Sequence, residues 1–183
     1  MVDFGAAGVA YEPKWPGVKE LNFADQWRAR WNDEHELPEN APVYQAYAMV
    51  MMGDKGYATR ESGASKWGMV EGLVGDTPID AWLKAALQEQ TGATAGKTEL
   101  VGYFECKATK LNANFESGEV TVRPFYVVAA KKIDDSPANP RFERRRFPLN
   151  EYMVAMRARY PELLDYLSKA DERYAIMRAR GEA

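Results

Sequence analysis

The chain has 183 residues, of which 46% are hydrophobic and 28% charged, and its formal net charge is −3. This composition is typical of a soluble globular protein, and the charge gives no electrostatic basis for binding nucleic acid or an anionic membrane. Cys106 is the only cysteine and His35 the only histidine, which excludes an intrachain disulfide and a mechanism that needs two histidines. We expect a cytoplasmic protein, because no apolar run is long enough to span a membrane and the N-terminus lacks a signal-peptide pattern.

The N-terminal part is predicted to be an irregular arm followed by a helix. Residues 1–21 are rich in glycine and proline. Over residues 22–36, Phe23, Trp27 and Trp31 recur every four positions, which places them on one helical face. That face could pack on the domain or on a second subunit, or one of the tryptophans could stack on a base or sugar.

Strands are predicted next. Residues 43–52 form a long apolar run, and a glycine-containing turn leads to a returning strand at 57–60. A third, short strand is predicted over 67–73. Gly68 and Gly72 within it could let the backbone approach a ligand closely, or could allow a bulge.

The strongest helix signal covers residues 78–91. Pro78 suits the first helical position, Thr77 is a good N-cap, and Gly92 can adopt the left-handed conformation that ends a helix. Apolar residues recur at the intervals of one helical face: Ile79, Trp82, Leu83, Ala86 and Leu87.

Strand character returns over residues 99–109 and 120–132. The polar segment between them, 110–119, is favoured as a solvated hairpin loop. A further strand is predicted over 142–147; its three consecutive arginines could bind a phosphate or form a solvated edge.

Two helices are predicted to end the chain, the first from Asn150 to about Tyr160 and the second from Pro161. The second helix carries an apolar stripe typical of a docked or dimer-forming element: Leu163, Leu164, Leu167, Ala170, Tyr174 and Met177.

This order of elements predicts an α/β/α sandwich with a mixed β-sheet and with helical extensions at both ends. We expect an N-terminal arm and helix over 1–41, a central domain over 42–160 and a C-terminal helix over 161–183.

Residues 67–93 resemble the Nudix box of the Nudix hydrolases. WGMVEG at 67–72 is similar to the family's W-x-x-P-G-G, GDTP at 75–78 to its G-E-T-P, and LQEQTGA at 87–93 to its apolar-x-E-E-x-G-apolar. One extra residue lies between Pro78 and Ala85. The resemblance extends over 42–150 in overall organisation, and it implies the same α/β/α arrangement.

The departures from the family pattern fall on the residues of its chemistry. The family's arginine is Ala85 here, its first helix glutamate is Ala86 and its last is Gln90, while Glu89 is retained. In the family these glutamates hold divalent cations against a diphosphate. Losing two of three carboxylates removes much of the attraction for such a cation.

The resemblance implies Mg²⁺ or Mn²⁺ as cofactor and a nucleotide-type small molecule as ligand. It implies Glu89 as a catalytic residue and metal ligand, because Glu89 alone keeps its place in the box; Glu89 could instead be an exposed helix acid. Glu71, as a catalytic residue, and Asp76, as a metal ligand, could partly compensate from the loop. Glu116 is a candidate metal ligand, with Glu119 as a further acidic candidate. The expected substrate-binding residues are Gly68, Gly72, Gln90 and Arg60.

Two functions follow from this reading. The first is weak or altered, metal-dependent hydrolysis of a nucleoside diphosphate linked to another group. The alternative is a catalytically inactive protein that binds a nucleotide or metabolite, or that acts as a scaffold through Trp27, Trp31 and the C-terminal stripe. No nucleic acid or membrane partner is expected. The C-terminal stripe could form a homodimer, and the sequence leaves the oligomeric state open.

Overall fold

The computed structural model describes residue 11 and residues 20–183. Within that part, the chain forms eight strands, three α-helices and one short 3₁₀ helix. In chain order they are β1 (Glu20–Phe23), β2 (Trp27–Asn32), β3 (Gln45–Met52), β4 (Lys55–Glu61), β5 (Val70–Leu73), α1 (Ile79–Thr91), β6 (Ala93–Ala108), β7 (Val120–Ile133), β8 (Phe142–Pro148), α2 (Leu149–Arg159), the 3₁₀ helix (Pro161–Leu163) and α3 (Leu164–Ala179).

All eight strands belong to one mixed sheet. The order across it is β1-β2-β6-β7-β3-β4-β8, and β5 pairs with β3 outside this path. Only β3 and β7 pair in parallel; the other named pairs of the described strands are antiparallel. β3 therefore meets β7 along one side, and β4 and β5 along the other. This mixed sheet confirms the predicted fold class.

Helices cover both faces of the sheet, because alternate residues of each strand point to opposite sides. Ala48 and Val50 of β3 pack in one core with Leu83 and Leu87 of α1. Their neighbours in β3 pack in the opposite core with buried residues of α2 and α3. The layers are thus helix, sheet and helix, as the sequence predicts.

The prediction of a helix over residues 22–36 is wrong. β1 and β2 form a hairpin in which Phe23 pairs with Trp27, and β2 pairs antiparallel with β6. An interval of four residues returns to the same face in a helix and also in a strand, so the aromatic pattern fits both. The burial of Trp27, Ala29 and Trp31, with more exposed residues between them, has the strand period of two.

The two tryptophans of β2 pack in the core. Trp27 is 5% exposed and its ring centroid lies 5.1 Å from that of Phe115. Trp31 is 8% exposed and lies 4.7 Å from the ring of Tyr166 in α3. The interpretation that this aromatic face packs on the domain is confirmed.

The C-terminal helices dock on the sheet. The predicted stripe of α3 is buried from Leu167 to Met177, which confirms a docked element. Leu164 departs from the prediction, since it is 47% exposed. No helix in the described part of the chain combines the length and apolar character needed to cross a membrane.

Candidate functional site around Glu71

A cavity of about 500 Å³, here called the Glu71 cavity, opens between β4, β5, the end of α1 and the end of α2. Five residues that the sequence nominated for a site line it together. They are Arg60, Gly68, Glu71, Gly72 and Gln90. The glycine-punctuated strand and the box helix thus meet at one place, as the resemblance implies.

Gln90 connects the box helix to β5. Its side-chain amide donates to the carbonyl oxygen of Glu71 at 2.9 Å and accepts from the Glu71 N–H at 3.4 Å. The residue is 9% exposed. Thr59 of β4 donates its hydroxyl to the Gln90 carbonyl at 2.7 Å. A buried amide with both its donor and its acceptor in use holds the strand and helix in register.

Tyr160 holds the side chain of Glu71. Its hydroxyl donates to Glu71 Oε2 at 2.5 Å and accepts from the Met69 N–H at 3.1 Å. Burial, and then the Glu71 charge, raise the pKa of Tyr160 well above its ordinary value, so the hydroxyl stays a donor. A Cβ at Gly68 would lie 2.6 Å from this hydroxyl, so the glycine makes room for Tyr160.

Three basic side chains line the same cavity. Arg159 Nη2 lies 4.0 Å from Glu71 Oε1. Arg60 donates from Nε to Glu143 at 2.7 Å, and its guanidinium carbon lies 4.1 Å from the ring centroid of Trp67. Lys66 is exposed at the rim. These groups can compensate the charge of an anionic ligand.

The other predicted acids lie elsewhere. Glu89 is exposed on α1 and is not among the residues lining the Glu71 cavity. Asp76 is exposed in the turn before α1 and borders a different cavity, beside Phe115. Glu116 is exposed in the turn between β6 and β7. The three expected metal ligands are therefore not brought together with Glu71.

The carboxylates around the Glu71 cavity do not suit Mg²⁺ or Mn²⁺. Glu71 is engaged by Tyr160 and Arg159, and the other lining carboxylate, Glu61, pairs with Arg141 at 3.2 Å. These cations favour several oxygen ligands, preferably anionic. Across residues 11 and 20–183, no group of three or more His, Cys, Asp or Glu side chains is arranged to hold a metal ion.

The two ends of α1 are held in different ways. Gly92 follows the helix in the left-handed conformation, with φ of 72°, as the sequence predicts. Thr77 is not the cap that the sequence predicts, because the N-cap residue is Pro78 and no side chain caps it. Arg144 donates to the carbonyls of Thr91 and Asp134, both at 2.7 Å. At least this member of the arginine run has a structural partner.

Sequence reasoning missed Tyr160 and Arg159. They lie where α2 ends, and a tyrosine or arginine at the end of a helix has no spacing that connects it to a box 89 residues earlier. The only available signal is the prediction that α2 ends near this position.

Comparison with solved structures gives the fold. The chain is similar to the pyrophosphohydrolase BsRppH of Bacillus subtilis, with a TM-score of 0.55 and 15% identity over 71% of this chain and 77% of that one. It is also similar to a NUDIX hydrolase from Nitrosomonas europaea, with a TM-score of 0.50 and 14% identity over 74% of this chain and 89% of the other. No protein-family model and no curated protein matches the sequence. The mixed sheet, the flanking helices and these similarities together show that the chain has the Nudix fold.

Proposed function

We propose that the chain binds a nucleotide-type phosphorylated small molecule in the Glu71 cavity, and that metal-dependent hydrolysis of this ligand is lost or greatly reduced. The observation that carries the proposal is Gln90. At this position the resemblance implies a metal-binding glutamate, and the side chain present instead bonds both backbone groups of Glu71.

The helix positions around Gln90 support the same conclusion. Ala86 lies one turn earlier on the same face and is 4% exposed, packed in the core under α1. Glu89, the retained acid, is exposed. A helix face that offers an alanine and a hydrogen-bonded amide supplies no anionic ligand, so the fold can keep a pocket while losing the charge that turnover requires.

The basic groups favour a phosphorylated ligand. Arg60 and Arg159 keep their guanidinium groups in partly exposed positions, with side chains 28% and 40% exposed. Guanidinium groups match phosphate oxygens through two parallel hydrogen bonds, and Lys66 adds a mobile point charge at the rim. We assign these three residues to phosphate binding, and Gly68 and Gly72 to the wall beside them.

Weak hydrolysis is the second candidate. The similarity to a pyrophosphohydrolase favours it, together with the Glu71 carboxylate on the cavity wall, which is 40% exposed. In this case Glu71 would take the catalytic role, and the retained Glu89, with Asp76 and Glu116, would have to move to bring a cation to the ligand.

One experiment separates the two candidates. The full chain is incubated with ADP-ribose, dinucleotides, nucleotide sugars and nucleoside triphosphates, with Mg²⁺ or Mn²⁺ and with a chelator, while product release and thermal shift are both recorded. The proposal expects ligand-induced stabilisation that persists in chelator, without metal-dependent turnover. Metal-dependent turnover that falls in Glu71→Gln or Glu89→Gln supports hydrolysis and overturns the binding role.

A matched pair of variants tests the assigned cavity. Arg159→Gln should reduce the thermal shift at a given ligand concentration, because it removes a charge from the cavity. Arg157→Gln, an exposed arginine two residues earlier on α2, should not. Equal shifts in both variants would place the ligand outside the Glu71 cavity.

Three further expectations stay predictions from the sequence. They are a homodimer, a cytoplasmic location, and a division of the chain near residues 41 and 160. Light scattering of the purified chain tests the first, cell fractionation the second, and limited proteolysis the third.

A further inference from the structure

A second cavity, of about 380 Å³, lies on the sheet face that α3 covers. The turn of the β1–β2 hairpin forms one wall, the starts of β3 and β7 form the floor, and Glu162 of the 3₁₀ helix lies at the edge. We call it the Arg123 cavity. Its aromatic lining consists of Phe23, Trp27 and Tyr47.

Arg123 is a deeply buried charge on the floor of this cavity. The residue is 8% exposed. Nη1 donates to the Tyr47 hydroxyl at 2.9 Å, and the guanidinium carbon lies 4.3 Å from the ring centroid of Phe23. An arginine carries five N–H donors and stays protonated. One hydroxyl and the face of a ring therefore leave most of its donors unused.

No carboxylate neutralises this guanidinium at close range. Within residues 11 and 20–183, no acidic side chain lies within 4.0 Å of it; Glu162 borders the cavity but is exposed and forms no ion pair with it. Removing a charge from water is costly unless an opposite charge or several hydrogen bonds replace the lost hydration. Burial works against the Arg123 charge, yet its pKa is raised overall by Cys106, Tyr47 and, from beyond ion-pair distance, Glu71. The guanidinium therefore has charge compensation at a distance but no acidic partner in contact.

The same cavity contains one buried polar atom without a hydrogen-bond partner. The side chain of Gln45 lines the wall, and its amide oxygen is buried without a hydrogen-bond partner. A buried acceptor without a partner costs free energy comparable to a lost hydrogen bond. This acceptor needs a donor, which an oxyanion lacks, so the case for an oxyanion in this cavity rests on Arg123.

We infer that the Arg123 cavity binds a small flat molecule through an oxyanion, either a carboxylate or a phosphate, held by Arg123. The guanidinium supplies parallel N–H donors for two oxygens of the oxyanion. The aromatic rings of Phe23, Trp27 and Tyr47 supply an apolar surface for the flat body of the ligand. This site shares no lining residue with the Glu71 cavity, so it does not depend on the function proposed there.

The test uses calorimetric titration of the full chain with three probes that share one ring: benzoate, phenyl phosphate and benzamide. Benzamide matches the shape of benzoate without its charge. We expect one or both oxyanions to bind at least tenfold more tightly than benzamide, and the tighter of the two identifies carboxylate or phosphate. Equal affinity for benzoate, phenyl phosphate and benzamide overturns the inference.

Two variants locate the binding. Arg123→Gln should weaken oxyanion binding at least tenfold, while Arg157→Gln, an exposed arginine that lines neither cavity, should leave it unchanged. Oxyanion binding that is unchanged in Arg123→Gln, or that falls equally in both variants, overturns the inference.

A variant at the edge of the cavity keeps the test decisive if Arg123→Gln does not fold. Glu162→Gln removes a negative charge from an exposed position beside the cavity, and should tighten oxyanion binding about twofold without changing benzamide binding. Glu172→Gln, an exposed glutamate of α3 that does not line the cavity, is the control and should have no effect. The inference is overturned if Glu162→Gln leaves the oxyanion affinity unchanged or lowers it.

Discussion

The two cavities differ in how their charges are compensated. In the Glu71 cavity the central carboxylate accepts a hydrogen bond from Tyr160 and faces Arg159, while Arg60 pairs with Glu143. In the Arg123 cavity the central charge is buried more deeply, and among the described residues its only hydrogen-bond partner is a tyrosine hydroxyl.

The cavity that resembles a known motif is therefore not the one with the buried polar atom that lacks a partner. In the cavity that corresponds to the box, Gln90 satisfies the backbone groups of Glu71, and the basic side chains beside it stay partly exposed. The cavity beside the hairpin has no motif, yet it holds a buried guanidinium and an amide oxygen without a partner. Unsatisfied buried polar groups indicate ligand chemistry more directly than a degenerate motif does.

The largest expected effect comes from restoring a box carboxylate. Ala86→Glu should lower the free energy of unfolding by about 3–5 kcal/mol, because Ala86 is 4% exposed and a carboxylate there would be an unpaired buried charge. Urea unfolding of both proteins measures the difference. Ala85→Glu is the control. Ala85 is adjacent to Ala86 but exposed, so this substitution should change the free energy of unfolding by less than about 0.5 kcal/mol.

A stable Ala86→Glu variant would contradict the view that the Glu71 cavity has lost its metal site through packing. If Ala86→Glu is as stable as the parent chain and binds Mg²⁺ in calorimetry, the Glu71 cavity has room for the family's ligand set. The loss of metal binding would then be a matter of one side chain and not of the packing beneath α1.

The second expected effect on stability concerns the packing of the β1–β2 hairpin against β6. A Cβ at Gly102 would lie 2.2 Å from Trp31 Cζ2 and 2.6 Å from the Asn32 carbonyl oxygen, where β2 meets β6. We expect Gly102→Ala to destabilise the chain by about 1–3 kcal/mol through overpacking, measured by urea unfolding. At Gly72 the nearest atom to such a Cβ is Trp82 Cζ2 at 3.4 Å, so Gly72→Ala should have a much smaller effect. Similar losses in both variants would contradict the tight contact at Gly102.

The sequence predicted α1 well because its signals are of different kinds. Pro78 at the start, apolar residues at helical intervals, and Gly92 at the end each depend on a separate physical property. The agreement of three independent signals leaves only the first residue and the cap in error. The strands β3, β4 and β7 were predicted for a similar reason, because turn residues bound their apolar runs.

The hairpin could not be identified from its aromatic spacing. Positions four apart share a face in both a helix and a strand, so Phe23, Trp27 and Trp31 carry no information on which one forms. The turn uses Ala24 and Asp25 at positive φ, where glycine or asparagine would have signalled a hairpin. Tertiary pairing with β6 decides the structure, and no local pattern reports it.

The site was predictable only in part, and for the same reason. The resemblance nominated Glu71 and Gln90 through their place in the box, and they meet across one cavity. Tyr160 and Arg123 gain their roles from residues distant in sequence, to which they are joined by packing alone. Charge compensation is a property of the folded assembly, so the difference between the two cavities has no counterpart in the sequence.

The third effect depends on pH and concerns Cys106, whose thiol is influenced by Arg123. Burial raises the pKa of Cys106 to about 11, and the Arg123 charge lowers it in part. The unfolded thiol titrates near 9. The neutral thiol therefore stabilises the fold fully below pH 9, and this stability is lost as the pH rises toward 11. We expect a loss of about 1 kcal/mol by pH 10 from this group.

Urea unfolding from pH 8 to 10 tests this effect, with Cys106→Ala as the matched variant. The free energy of unfolding should decline less with pH in Cys106→Ala, because the variant removes the thiol. Buried tyrosines contribute equally in both proteins; burial raises the pKa of Tyr47, for example, to about 12. Thiolate absorbance should show Cys106 still protonated at pH 9 in the native chain. A native thiol that ionises at its ordinary pKa would contradict its burial beside the Arg123 cavity.

The smallest expected effect on stability comes from the hairpin turn that borders the Arg123 cavity. Ala24 has a φ of 54°, a conformation that strains an alanine but not a glycine. Ala24→Gly should therefore stabilise the chain by about 0.5 kcal/mol, once the greater flexibility of glycine in the unfolded chain is subtracted. Ala64→Gly, a loop alanine without positive φ, should instead be neutral or destabilising. Destabilisation by Ala24→Gly would mean that the left-handed turn is not the conformation that closes this hairpin.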